Sequence, residues 1–110
     1  MTKRPLIGVV PLWDEKKQSS WVKQTYIEAI YDAGGIPIIL PIFQSERFIE
    51  ELVTRIDGLF LTGGDDIHPR LYEEVKKEAC GHTSEVLDDF EWCVLKKTIE
   101  KGKPILGVCR

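Results

Sequence analysis

The sequence is poor in several features that would announce a particular class of protein. It has 3 cysteines and 2 histidines in 110 residues, and its 15 basic residues are balanced by 18 acidic ones, for a net charge of −3. The absence of an arginine-rich stretch or basic amphipathic helix excludes the electrostatic signature of a protein that binds nucleic acid or an anionic membrane surface. Hydrophobic residues make up 43% of the chain, which excludes a disordered tail and suffices for the core of one small domain.

The cysteines and the first residues indicate a cellular compartment. Cys80, Cys93 and Cys109 are an odd number at irregular spacing, which suits a reducing environment better than a disulfide framework. The apolar run over residues 6–12 is short and interrupted by Pro11, which is typical of a buried strand and not of a signal peptide or a membrane span. We therefore expect a cytoplasmic protein.

Apolar runs of strand type alternate with segments of helical periodicity. The runs predict four strands, at residues 6–10, 36–40, 59–62 and 104–108. Polar residues 14–20 predict a loop in which Ser19 or Ser20 caps a first helix that ends at Gly34-Gly35. A second helix is predicted from a cap at Ser45 to about residue 56, and a third over residues 87–101, ended by Gly102. Residues 67–85 have little periodicity and predict an excursion from the fold.

This alternation predicts an α/β fold, a parallel sheet with helices on both faces. The fourth predicted strand has no helix after it and would leave a long apolar edge, which proteins avoid. We therefore expect residues 1–110 to be an incomplete fold: either the rest of the chain is missing, or something else completes the sheet.

Cys109 is the first candidate for chemistry, because it follows a strand-type run at Gly107-Val108. Nucleophiles of α/β enzymes lie at such a strand end, where the strand turns sharply into a helix whose amino terminus lowers the thiol pKa. A buried cysteine that packs as a small apolar residue is the alternative reading, and position alone does not decide between them.

A second candidate is the loop Gly63-Gly64-Asp65-Asp66 after the third predicted strand. Two glycines let the backbone approach a ligand and point N–H groups at it, as an oxyanion hole requires. An ordinary turn is the alternative. A phosphate site is disfavoured because the aspartates repel phosphate and no Lys-Ser or Lys-Thr pair follows.

The remaining polar residues indicate neither a metal nor a cofactor. Cys80-x-His82 lacks a second ligand pair, and His68 is more typical of a solvated loop than of a catalytic base. Asp88, Asp89 and Glu91 open the third predicted helix, where acidic side chains are favoured by the helix dipole.

Together these segments resemble the class I glutamine amidotransferase fold, a flavodoxin-like architecture, and within it the γ-glutamyl-γ-aminobutyrate hydrolase-like family, peptidase C26. Residues 61–72 resemble that family's Gly-Gly-x-Asp-Ile-x-Pro-x-x-Tyr segment. Asp88-x-Phe90-Glu91 resembles its Asp-x-x-Glu helix start, and residues 103–110 resemble its nucleophile elbow. One departure is Leu87, where the family usually has an arginine, and this leaves the substrate open.

The resemblance implies a reaction and the residues that perform it. Cys109 would attack a γ-glutamyl amide carbonyl to form a thioester. The backbone N–H groups of Gly64 and Arg110 would hold the oxyanion, with Gly63 and Asp65 in the substrate-binding loop. The family's catalytic histidine and glutamate lie far downstream of the cysteine. The resemblance therefore implies that residues 1–110 are the amino-terminal half of a single domain and are inactive alone.

Several readings stay open at this point. The expected partner is a small γ-glutamyl amine or a glutamine-like substrate, without nucleic acid, membrane, metal or cofactor. The remainder of the chain is expected to complete the sheet and the site, and a homodimer is left open. One alternative is a glutaminase subunit that delivers ammonia to a synthase partner, and another is a non-catalytic α/β binding module.

Overall fold

The computed structural model describes residues 3–62 and 86–107. Its strands are β1 (Leu6–Val10), β2 (Leu12–Asp14), β3 (Ser19–Trp21), β4 (Ile36–Ile39), β5 (Gly58–Leu61) and β6 (Ile105–Gly107). Its helices are α1 (Gln24–Asp32), α2 (Glu46–Arg55) and α3 (Val86–Glu100). The four predicted strands and three predicted helices are all present, with bounds that differ by a few residues.

Four of the strands form one sheet in the order β4-β1-β5-β6, and every neighbouring pair in it is parallel. The predicted α/β class with a parallel sheet is therefore confirmed. In this order β5 lies between β1 and β6, and β6 is the outer strand on its side of the described sheet.

Successive residues of the central strands bury their side chains on opposite faces of the sheet. Val9 and Phe60 pack in one apolar cluster with Ile30 of α1. The next residue of β1 and the preceding residue of β5, Val10 and Leu59, belong to a second cluster with residues from α2 and α3. Helices therefore cover both faces, α1 on one and α2 with α3 on the other, as the fully apolar strands predicted.

The helix ends follow local rules that the sequence displays. The hydroxyl of Ser45 accepts a hydrogen bond of 3.2 Å from the N–H of Phe48, which confirms the predicted cap of α2. Gly34 and Gly102 have φ angles of 103° and 68°, the left-handed conformation that ends a helix most easily at glycine. Both predicted stops are therefore confirmed.

The predicted loop before α1 is instead a β-hairpin, and the predicted cap at Ser19 or Ser20 is wrong. Both serines lie in β3, which pairs antiparallel with β2. The helix begins only at Gln24, after Lys23, whose side chain makes no capping bond. The turn is closed by the Lys17 N–H, which donates to Asp14 Oδ1 at 3.1 Å. Strands of three residues are too short for alternation to reveal them in the sequence.

The face of the sheet beside α1 is only partly covered. Ala29 and Ala33 of α1 are exposed and line an open apolar groove of about 380 Å³. Ile7 of β1, Phe60 of β5 and Leu106 of β6 line it from the sheet. Leu106 is 63% exposed there, whereas Ile105 packs against the cluster on the other face.

Candidate active site

The carboxyl ends of three neighbouring strands form one row across the sheet. Val10 of β1 is the register partner of Leu61 in β5, and Leu61 is the partner of Gly107 in β6. Each is the last residue of its strand. Because ligands of parallel α/β sheets bind beyond the carboxyl ends of the strands, this row marks the edge at which a site is expected.

A buried hydroxyl ties two of these strand ends together. Thr62, directly after β5, is 8% exposed. Its Oγ1 donates a hydrogen bond of 2.8 Å to the carbonyl oxygen of Val10. This bond fixes where the chain leaves β5, immediately before Gly63-Gly64 in the sequence.

The β2–β3 hairpin is the segment that follows β1 at this edge. Its strand β2 packs against α3. The Trp13 Nε1–H donates to Glu15 Oε1 at 3.2 Å, and the Gln18 side chain also bonds to Glu15. The hairpin, found in place of the predicted loop, is therefore held by its own hydrogen bonds and by contact with α3, and it begins directly after the end of β1 and Pro11.

The first turns of α3 bring carboxylates to the same edge, because α3 runs back from it toward the start of β6. Asp88 and Asp89 lie in the first turn, as the helix dipole favours. Glu91 lies deeper, and burial raises the pKa of its carboxyl above the ordinary value, with the charge of Asp88 adding to the effect. Groups of this kind cluster at functional sites.

The residues predicted to perform chemistry lie outside the described residues. These are Cys109 and Arg110 after β6, and the loop residues Gly63, Gly64 and Asp65 after β5. Their roles as nucleophile, oxyanion hole and substrate-binding loop stay predictions. The other residues weighed for chemistry, His68, His82 and Cys80, also lie there.

Within residues 3–62 and 86–107, no group of three or more histidine, cysteine or carboxylate side chains is placed to hold a metal ion. No helix in these same ranges is long and apolar enough to cross a membrane.

Comparison with known proteins decides the family. A model of the family described as peptidase C26 matches residues 5–110. The chain belongs to the peptidase C26 family. The resemblance drawn from the sequence motifs is thereby confirmed.

Relatives of this peptidase C26 chain carry two kinds of name. It is 44% identical over 119 residues to "Putative glutamine amidotransferase-like protein RP404" of Rickettsia prowazekii, covering 100% of this chain and 42% of that protein. It is 31% identical over 110 residues to the γ-glutamyl-γ-aminobutyrate hydrolase PuuD of Escherichia coli, covering 96% of this chain and 42% of that protein. The chain thus spans less than half of the length of either relative.

A solved structure supports the fold alone. A crystal structure described as that of a putative peptidase E protein from Listeria monocytogenes superposes with a TM-score of 0.54 at 18% identity. The superposition covers 94% of this peptidase C26 chain and 45% of the Listeria chain.

Two features of this peptidase C26 chain were not predicted from its sequence. The hairpin lies in a stretch that is only polar and lysine-rich in the sequence, and Thr62 is recognisable there only as a hydroxyl residue at the end of an apolar run. Leu87, at the position where the family usually has an arginine, packs against the cluster formed by α2, α3 and the sheet. A leucine there contributes to the core instead of presenting a cation at the edge.

Proposed function

We propose that the full-length protein hydrolyses γ-glutamyl amide bonds, with Cys109 as the nucleophile. The backbone N–H groups of Gly64 and Arg110 form the oxyanion hole, and Gly63 and Asp65 belong to the loop that binds the substrate. The proposal is finer than the family assignment, which supports hydrolase chemistry of this type only in general.

The register of β5 and β6 is the observation that supports it best. Leu61 and Gly107 are register partners, and each is the last residue of its strand. In the sequence, Gly63 follows Leu61 by two residues, and Cys109 follows Gly107 by two residues. The segments that carry the glycine pair and the cysteine therefore follow neighbouring strand ends at the same level of the sheet, which supports a common site.

The reaction follows from these assignments. The Cys109 thiolate adds to the γ-carbonyl carbon, and the oxyanion is held by the two N–H groups. The C–N bond breaks and the amine leaves with a proton. Water then adds to the thioester and releases the γ-carboxylate and the thiol. His68 and His82 do not match the family's catalytic histidine, so we assign the base to polypeptide that follows residue 110.

We also propose that residues 1–110 form the amino-terminal half of one domain. The chain covers 42% of the relatives above, and the apolar groove beside α1 leaves part of the sheet open. Further polypeptide, covering this groove and adding to β6, would complete the sheet and supply the missing base.

The substrate is a small γ-glutamyl amine, and we expect no bound cofactor.

The test is turnover of γ-glutamyl-p-nitroanilide by the full-length protein and two alanine variants. Cys109→Ala is expected to lower kcat by about 10³-fold or more, because removing the nucleophile of a catalytic triad has effects of this size. Cys93→Ala is the matched control. Cys93 packs against the α2–α3 cluster, and burial raises its thiol pKa, so its loss is expected to leave kcat within about twofold. Turnover that survives Cys109→Ala would refute the proposal.

The glutaminase reading is a second candidate, because the relative at 44% identity carries a glutamine amidotransferase-like name. It predicts hydrolysis of glutamine in preference to γ-glutamyl amines, stimulated by a synthase partner. Comparing kcat/KM for glutamine and for γ-glutamyl-γ-aminobutyrate in the isolated full-length protein separates the two. A preference for glutamine would favour the ammonia-delivering role.

A further inference from the structure

Lys103 binds the carboxyl end of α2 with all the donors it has. Its Nζ lies 2.7 Å from the carbonyl oxygen of Val53, 3.0 Å from that of Thr54 and 2.6 Å from that of Ile56. An ammonium group has three N–H donors and no acceptor, so this geometry uses it completely. The side chain is half-buried.

The carbonyls of Val53 and Thr54 belong to the last turn of α2, which a helix end leaves without intrahelical partners, and Ile56 is the next residue after the helix. α2 ends at Arg55, and the N–H of Ile56 already bonds to the carbonyl of Leu52 at 3.2 Å. The last carbonyls of a helix also carry its negative dipole end, which a cation stabilises. Lys103 therefore caps α2 from a segment about fifty residues away in the chain.

The same turn after α2 is fixed to β1 as well. Asp57 Oδ2 accepts a hydrogen bond of 2.7 Å from the N–H of Leu6, and the Asp57 N–H donates to the Leu6 carbonyl at 2.7 Å. On the other side, the Leu59 N–H donates to the Pro104 carbonyl at 2.9 Å. Asp57 and Leu59 thus connect the start of β1 to Pro104, the residue directly before β6.

Lys103 lies two residues before β6, and Cys109 lies two residues after it. Within the described residues, β6 pairs with β5. The three bonds of Lys103 attach the amino end of this strand to the end of α2 as well.

We propose that Lys103 is a positioning residue that sets where β6 lies along β5, and through β6 where the Cys109 thiol lies relative to the Gly63-Gly64 loop. The second half of this proposal rests on the function proposed above. Lys103 touches neither substrate nor thiol in this role and acts through the strand.

The test compares Lys103→Met with Lys101→Met in the full-length protein. Methionine keeps the apolar stem and removes the ammonium. Lys101→Met removes the same charge two residues away, where the Lys101 Nζ forms a partly exposed ion pair of 2.6 Å with Glu50. We expect Lys103→Met to lower kcat about tenfold or more with KM within about twofold, because small misplacements of reacting groups cost rate strongly. Lys101→Met is expected to leave both unchanged.

A second measurement separates positioning from general stability. Hydrogen exchange of the Leu59 amide and of residues 105–107 is expected to speed up in Lys103→Met and to stay at the wild-type rate in Lys101→Met. Lys103→Arg, which keeps several donors, is expected to recover most of the rate and of the protection. Should Lys103→Met not fold, Lys103→Gln, whose amide offers two donors, takes its place.

The outcomes can be told apart. Unchanged exchange at β6 overturns the proposal, and so does a loosened β6 with wild-type kcat. If the wild-type protein shows no turnover that depends on Cys109, the proposed function fails, and the exchange measurement alone then decides whether Lys103 holds β6.

Discussion

Glu91 fits the preference for acidic residues at a helix start, but its carboxyl group is unusually buried for such a residue. In the sequence it is one of three acidic residues at a helix start, where the dipole explains all three. In the fold, Asp88 and Asp89 keep that explanation, whereas Glu91 lies one turn further in, where burial raises its pKa. Periodicity places such a residue on a helix but does not show how deeply its carboxyl is covered, because cover depends on segments distant in the chain.

The raised pKa of Glu91 predicts a pH dependence of stability. The ordinary value is 4.5, and between that value and the raised one the folded protein binds more protons than the unfolded chain. The free energy of unfolding therefore falls as the pH rises through this interval. We expect Glu91→Gln to stabilise the protein at pH 7 and to have little effect at pH 4, measured by urea denaturation.

Glu51→Gln is the control for this pH dependence, because Glu51 is an exposed side chain on α2. It is expected to change stability little at either pH. If Glu91→Gln destabilises the protein at pH 7, the ionised carboxylate has a donor or cation as partner, and the prediction is wrong.

At the scale of elements, the sequence predicts helix ends that depend on one or two local residues, but it misses short strands that depend on pairing with another strand. Ser45 and the two glycines that end helices were predicted because caps and left-handed turns depend on one or two residues. The hairpin was missed because Ser19 and Ser20 are as suitable for a helix cap as for a short strand. Pairing with β2 decides between these, and three-residue strands carry no readable period.

Removing the Thr62 hydrogen bond tests whether the ends of β1 and β5 must be held together at the candidate site. Thr62→Val keeps the shape and removes the hydroxyl that bonds to Val10. We expect it to lower the free energy of unfolding by about 1 kcal/mol, the usual net value of such a bond. We also expect kcat for γ-glutamyl-p-nitroanilide to fall several-fold, because the loop proposed to form the oxyanion hole begins at the next residue.

Thr98→Val is the matched control for Thr62. The Thr98 hydroxyl is fully buried and donates at 2.7 Å to the Val94 carbonyl one turn earlier in α3. Its loss removes a bond within one helix and is expected to change stability by a similar or smaller amount without changing kcat. Equal effects of the two substitutions on kcat would show that Thr62 has no special part in placing the loop.

At the scale of the whole molecule, the sequence predicted the class of sheet but not which of its two faces is only partly covered within the described residues. The strands are apolar throughout, so their composition does not distinguish the face beside α1 from the face beside α2 and α3. The register and the strand order make the distinction. They leave the Leu106 side chain exposed in the groove, whereas Ile105 is partly buried and packs against the cluster on the other face.

Substituting two exposed apolar side chains tests whether the groove is covered in the full-length protein. Leu106 in the groove is 63% exposed, and Ile99 on α3, outside the groove, is 62% exposed. If further polypeptide packs on the sheet beside α1, Leu106→Asn places an amide in a buried apolar contact and lowers the free energy of unfolding by about 2 kcal/mol or more. Ile99→Asn is expected to cost well under about 1 kcal/mol, as surface substitutions do. Chemical denaturation of both variants measures the difference. Equal, small effects would show that the groove stays open to solvent and that the sheet is completed in some other way.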